Sequence, residues 1–399
     1  MGTEELPRKV VLVPIASGTE AMEAVMVVDV LRRAGADVTI ASVEQQPCVV
    51  TLHGIKIVAD MLISECVNTS YDLISIPGGV QGSIHLRDNH TLSSIVCEHT
   101  SAGRIYGATG AASALVLRDW GLLCGREATC YPSFMDRLSS SRHVELVTSR
   151  VHICEGIITG QGTGTTLDYA VTLVEQLFGK KSATDVSQQL MMRSYQKANF
   201  IDKEYNKKAW SSNCGAKVSV LVPIADGSEE METVIIIDVL RRAKVEVVVA
   251  SVSDKLEILA SRKVKIVADM LLSDAAKYSY DLIVLPGGFG GAKAFAASRL
   301  LVNLLKKQSK EEKCYGATCD SPALVLQLLG LLKDKKATAF PEQCEKLLDR
   351  SAAKGRVVID GKVITSRGFG TTLEFALGIV EKFLGHEKAM EIAKTIVFI

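Results

Sequence analysis

The sequence predicts an α/β fold built twice, as two doubly wound and mostly parallel sheets in tandem. Three observations carry that expectation. Motifs recur at a spacing of about half the chain, short β-branched apolar runs alternate with helical stretches, and glycine-containing turns follow the runs.

The recurrence comes first because it fixes the domain organisation. "KIVADML" occupies 56–62 and 265–271, "DVLRRA" occupies 29–34 and 238–243, and "YDLISIPGG" at 71–79 answers "YDLIVLPGG" at 280–288. All three pairs lie 209 residues apart. An offset held across separate motifs means duplication of a whole domain rather than a short-period solenoid. The offset falls to 206 at "GTGTT" (162–166) and "GFGTT" (368–372), so the second copy has lost three residues net before that point. The expected domains are residues 8–190 and 216–399, joined by a linker at 191–215. The linker is polar and basic, and its aromatics Tyr195, Phe200, Tyr205 and Trp210 suggest that it packs on a domain.

Within each copy the pattern alternates. "VVLVPIA" and "VSVLVPIA" are the short apolar runs of buried parallel strands. Polar turns, "SGTEAME" and "DGSEEME", lead into helices that end at "DVLRRA", and new strands follow at "DVTIASV" and "EVVVASV". Strand and helix continue to alternate through "DLIVLPGG", "CYGATC" and "VVIDGKVITSRG". Ligands in such sheets bind at the carboxyl ends of the strands.

Composition narrows the function. The chain has 399 residues, 47% of them hydrophobic, and a formal charge of +1. Nothing in that balance marks a nucleic-acid or anionic-membrane binder. No apolar run approaches the roughly 18 residues that span a bilayer. The N-terminal segment carries acids where a secretion signal needs bases. A cytoplasmic protein is expected, with the nucleus left open. The ten cysteines are scattered, without CxxC spacing or a Cys/His zinc pattern, so free thiols and no metal are expected.

Three motifs fall at strand ends. Cys319 stands between the strand "KCYGAT" and the helical run "SPALVLQLLGLL". A sharp strand-to-helix turn projects its side chain outward, and a helix N-terminus behind it favours a thiolate. Glu232, in "GSEEMETVIIIDVL", opens the helix after the first strand. A protonated Glu there would donate to a thiolate and move protons, while a purely structural Glu would only complement the helix end. Gly287 and Gly288, in "LPGG", leave backbone N–H groups exposed after a strand and suit an oxyanion-binding pocket, although paired glycines also mark ordinary turns. His386 is the second copy's single histidine, which argues against a Cys–His protease.

Together these residues resemble the DJ-1/PfpI superfamily, and within it the DJ-1 branch. "EEMET…DVLRRA", "YDLIVLPGG", a Cys followed shortly by Ser-Pro, and "ITSRGFGTTLEFAL" appear in that family's order over almost the entire chain. The tandem arrangement resembles the plant homologs. The resemblance implies a flavodoxin-like (class I glutamine amidotransferase-like) fold, a reactive Cys319, Glu232 as its carboxylate partner, and oxyanion donors at Gly287 and Gly288. It implies no cofactor. It implies glutathione-independent glyoxalase chemistry on methylglyoxal and related dicarbonyls (a lyase of glyoxalase III or D-lactate dehydratase type), protein deglycation, and a link to oxidative stress. The alternative is a redox-sensing, chaperone-like protein with little turnover, whose partners are stress-response proteins.

Departures from the family pattern bear on both. Where many members have a histidine before a proline, this chain has Phe340 and Tyr131. "SRGFG" replaces the usual "SRGPG", and Asp320 after the cysteine opposes thiolate formation. The first copy keeps Glu23, Gly78 and Gly79 but has Gly110 in place of the cysteine. Glycine tolerates the elbow's geometry, so the fold survives without its nucleophile. The first copy is expected to be silent and to pair with the second as an internal pseudo-dimer. His53, aligned with Arg262, is expected to approach the Cys319 site across that pair.

Overall fold

A computed structural model describes residues 8–140, 143–192, 199–210 and 217–399. The chain divides into two compact units, Met1–Gln189 and Leu190–Ile399. Tyr195 and Cys214 lie outside the described residues.

In the first unit the strand Val10–Ile15 lies inside a seven-stranded sheet. It pairs in parallel with Asp37–Ser42 on one side and with Leu73–Ile76 on the other. Ile105–Thr109 follows beyond Leu73–Ile76, and an antiparallel hairpin, Val151–Cys154 with Ile157–Gly160, closes that edge. Alternate side chains of these strands serve opposite faces. Leu12, Ile74, Ile76 and Ala108 join a core with Leu86, Leu92, Val96 and Val116, drawn from the helical segments that cover one face. The helices Ala21–Arg33 and Thr166–Phe178 pack against each other. Covering both faces is what a continuous apolar run such as "VLVPI" requires.

The second unit repeats this plan. Its parallel strands Met270–Leu271, Glu246–Ser251, Ser219–Ile224, Leu282–Leu285 and Cys314–Thr318 lie side by side. The hairpin Val357–Asp360 with Val363–Ser366 follows them. One strand is additional. Lys203–Tyr205 pairs in parallel with Val357–Asp360 and makes the sheet eight-stranded. Residues 203–205, expected as part of a linker, therefore form the second sheet's edge strand. Phe200 and Trp210 are buried, and the Trp210 indole N–H donates to the Gly361 carbonyl at 2.8 Å. No helix among the described residues is long and apolar enough to cross a membrane.

Candidate active site

The site is assembled at one rim of the second sheet. The strand Cys314–Thr318 ends against Val363–Ser366, and the Cys319 N–H donates to the Ser366 carbonyl at 3.1 Å. The chain then turns at Cys319, whose φ is +60°. A non-glycine residue in that region costs roughly 1–2 kcal/mol. The turn is held beyond Cys319 by the Ser321 hydroxyl, which donates to the Pro286 carbonyl at 2.6 Å, and by the Phe340 N–H, which donates to the Cys319 carbonyl at 2.7 Å. The strained elbow expected at "YGATCDSP" is present. The helical turn that follows, Pro322–Gln327, is short and wound as a π-helix.

Glu232 lies in the first turn of the helix Glu230–Arg242, which is buried almost all round, and its own exposure is 0%. Both carboxyl oxygens are held. The Gly287 N–H donates to Oε2 at 2.7 Å, and the Phe369 N–H donates to Oε1 at 3.0 Å. Burial pushes the Glu232 carboxyl up to about 7; the two N–H donors and the thiol oppose this, and the neighbouring Asp320 charge adds to it. Near neutral pH such a group exists in both protonation states, as a proton carrier must.

Cys319 is 1% exposed, and burial pushes its thiol well above the ordinary range. The charges of Glu232, Asp320 and Glu229 push the same way, while the Gly288 N–H, donating toward the sulfur, pulls it back. The expectation of a standing thiolate is therefore corrected. The π-wound turn behind the elbow is short, and desolvation of a thiol enclosed by carboxyls outweighs it. The direction of this shift favours the neutral thiol.

The role expected for Gly287 also changes. Its N–H is engaged by Glu232 and is not open toward an oxyanion. Gly287 is required as glycine for a second reason, since a Cβ there would lie 2.3 Å from the Cys319 Cβ. Gly288 keeps its N–H on the sulfur side, and with φ at +90° a Cβ would fall 2.3 Å from the Gly227 carbonyl oxygen.

Three residues were beyond the reach of local motif reasoning. Phe369, at φ +35°, supplies the second N–H to Glu232, and its ring meets Phe340 edge-on, with centroids 5.6 Å apart. Gly368 passes so close that a Cβ would stand 3.1 Å from the Cys319 sulfur. Gln343 donates from Nε2 to Asp320 Oδ1 at 2.9 Å. The motif "SRGFGTT" was the available signal for Phe369 and Gly368, although nothing in it points to Glu232, and Gln343, in "TAFPEQ", had none.

The first copy rebuilds the same elbow without a thiol. Gly110 has φ +58°, and its N–H donates to the Gly160 carbonyl at 3.0 Å, as Cys319 does to Ser366. Glu23 accepts the Gly78 N–H at 2.7 Å, and burial pushes it too up to about 7. Its remaining partners differ: the Thr109 hydroxyl makes a short hydrogen bond to Oε2, and the Thr163 hydroxyl donates to Oε1 at 3.3 Å. Thr163 is the counterpart of Phe369. A Cβ at Gly110 would lie 2.8 Å from Glu23 Oε1 and 3.1 Å from Oε2, so the glutamate crowds the position a side chain would take there. Gly79, at φ +91°, repeats the close approach of Gly288. Cys130, near this elbow, is fully buried and pushed up to about 12, as an inert thiol would be.

The DJ-1/PfpI family profile matches residues 9–176 and 218–382. The chain is 54% identical over 386 residues to Protein DJ-1 homolog B of Arabidopsis thaliana, a match covering 97% of this chain and 87% of that protein. It is 49% identical, again over 386 residues, to Protein DJ-1 homolog A of the same plant, covering 97% and 98%. It is also 34% identical over 181 residues to the glutathione-independent glyoxalase DJR-1.2 of Caenorhabditis elegans, a match covering 44% of this chain and 92% of that protein.

Proposed function

The chain belongs to the DJ-1/PfpI family, and on that footing we propose that its second copy is a glutathione-independent glyoxalase or deglycase acting on methylglyoxal and related dicarbonyls. The observation that carries this is the juxtaposition of Cys319, in a strained elbow, with Glu232, a buried carboxyl pushed up to about 7. The name of the nematode relative lends support at the level of the family.

In the reaction, the Cys319 sulfur adds to the aldehyde carbon and the carbonyl oxygen takes up a proton, which gives a hemithioacetal. The Gly288 N–H is the donor available to the developing oxyanion. Glu232 removes the proton from the former aldehyde carbon and delivers it to the neighbouring carbon, while the hydroxyl proton passes to the neighbouring carbonyl oxygen through the enediol, leaving a thioester of lactic acid. Water then cleaves the thioester, so methylglyoxal and water yield lactate and the thiol is restored. Deglycation applies the same addition to an early adduct of the dicarbonyl. The residues named need no cofactor for these steps.

The competing proposal is a redox-responsive protective protein in which Cys319 passes to the sulfinic acid. Phe340 in the place of an imidazole favours it, because the site lacks that proton carrier. Burial of the thiol and its raised pKa oppose it, since peroxide reacts with accessible thiolates. Pairing of the two copies, a part for His53, stress-response partners and a cytoplasmic location complete the proposal. Unchanged turnover in His53→Ala would count against the histidine.

The test is methylglyoxal consumption without glutathione by the full chain, compared with Cys319→Ser and Glu232→Gln. The wild type is expected to turn over and Cys319→Ser to fall to background. Full activity in Cys319→Ser overturns the proposal. An inactive wild type whose Cys319 peptide gains two oxygens in dilute peroxide favours the competitor.

A further inference from the structure

Asp320 poses a problem that the mechanism above leaves untouched. It is a carboxylate of 8% exposure placed against a thiol, where its charge hinders thiolate formation. Burying such a group costs free energy unless it is partnered. Its orientation is specific: Oδ1 accepts the Gln343 Nε2–H at 2.9 Å, and Oδ2 faces the Cys319 sulfur at 3.7 Å, within reach of an S–H···O contact. Glu342 and Lys346 also act on it from the same segment as Gln343, with opposite signs.

The first copy gives an internal control. At the constant offset of 209, Cys319, Asp320 and Gln343 correspond to Gly110, Ala111 and Phe134. Ala111 is buried, and Phe134 packs on the apolar core. The polar pair is present where the thiol is present and is replaced by apolar side chains where the thiol is gone.

A carboxylate that cannot favour a thiolate can still accept the proton of a neutral thiol. We propose that Asp320, aimed by Gln343, is the base that takes the Cys319 proton as the sulfur attacks, which makes Asp320 a catalytic residue and Gln343 a positioning residue. This inference rests on the carbonyl-addition chemistry proposed above. The thiol S–H bond breaks and its proton passes to Asp320 Oδ2. The sulfur electron pair forms the C–S bond, and the π pair of the aldehyde moves onto oxygen. Asp320 then returns the proton to that oxygen, completing the hemithioacetal with no net change in charge. Glu232 also neighbours the thiol, but its two oxygens already accept the N–H groups of Gly287 and Phe369, and it is assigned the carbon-bound proton. Two protons have to move, and two carboxyls in different environments flank the sulfur.

The experiment measures two reactions of the full chain in wild type and Asp320→Asn. One is kcat/KM for methylglyoxal, and the other is alkylation of Cys319 by iodoacetamide, followed on the Cys319 peptide by mass spectrometry. Loss of the base is expected to lower kcat/KM about tenfold or more. Loss of the charge is expected to speed alkylation, which needs only a standing thiolate. Opposite changes support the assignment. If both reactions accelerate, the role is electrostatic alone, and if both slow, it is structural; either result overturns the assignment. Gln343→Leu guards against misfolding of the first variant. It is expected to lower kcat/KM severalfold and move the acid limb of the pH profile upward, and unchanged values overturn the positioning role. A wild type without turnover overturns the proposed function and this inference together, whereas turnover undiminished in Asp320→Asn overturns this inference alone.

Discussion

The two copies bury the same glutamate at the same helix start and bond it to the same glycine N–H at 2.7 Å, yet they differ in what surrounds its other oxygen. In the first copy Thr163 donates a hydroxyl to that oxygen, Thr109 adds a second hydroxyl to the carboxyl, and the glutamate crowds the empty elbow. In the second, a backbone N–H from Phe369 holds it, and the thiol stands alongside. A raised carboxyl pKa therefore does not distinguish the copies, since both glutamates reach about 7. The cysteine and its polar neighbours, Asp320 and Gln343, separate the copies.

The largest expected effect comes from erasing that difference. Cys319→Gly should lower methylglyoxal turnover about a thousandfold or more, with the fold retained because Gly110 already makes the same turn at φ +58°. Retained turnover would break the contrast between the copies. Next, Glu232→Gln should cost about 10²–10⁴ in kcat, while Glu23→Gln should leave turnover unchanged. Equal losses would mean that the first copy is not silent.

Stability against pH treats the copies alike. Both glutamates titrate near 7 when folded, against an ordinary 4.5, because burial favours the neutral form. Their contribution to stability is complete below about 4.5 and is lost as pH rises through about 7. The thermal midpoint should carry a falling component across that window, and Glu23→Gln and Glu232→Gln should each remove part of the slope. A slope unaltered in both variants would sink the assignment of raised pKa values. The smallest change in activity is expected from Gly110→Cys. The new Cβ meets Glu23 Oε1 at 2.8 Å, and the backbone is left-handed, so stability should drop by about 1–3 kcal/mol with no gain in turnover. A second reactive thiol, detected by alkylation of that peptide, would show that the first copy needs only its cysteine back.

How much of this was legible in the sequence depended on distance along the chain. The duplication, the alternating strands, the elbow at Cys319 and the carboxylate at Glu232 could all be read from runs of a dozen residues or fewer. The direction of the thiol's shift was legible only in part, since Asp320 beside the cysteine opposed a thiolate, whereas the larger contribution, burial, depends on enclosure by segments as far apart as Glu232 and Gly368. Local reasoning from a helix N-terminus pointed the other way. Gly287 was legible as an open N–H after a strand, but its partner lies 55 residues away, and a backbone donor gives no sign in sequence of where it points. The edge strand Lys203–Tyr205 was missed for a similar reason, since its polar residues take their register from Val358–Asp360, more than 150 residues later.

The left-handed elbow has a further consequence, for how such chains can change. Replacing the cysteine there by glycine relieves backbone strain of roughly 1–2 kcal/mol, which offsets part of the packing lost with the buried side chain. Return is not its mirror image. With Glu23 crowding that position and Thr109 and Thr163 on its carboxyl, a restored cysteine meets a tight fit. Ala111 and Phe134 leave it without the polar pair found beside Cys319. The geometry acts as a ratchet: one step empties the elbow, and several coordinated steps are needed to refill it.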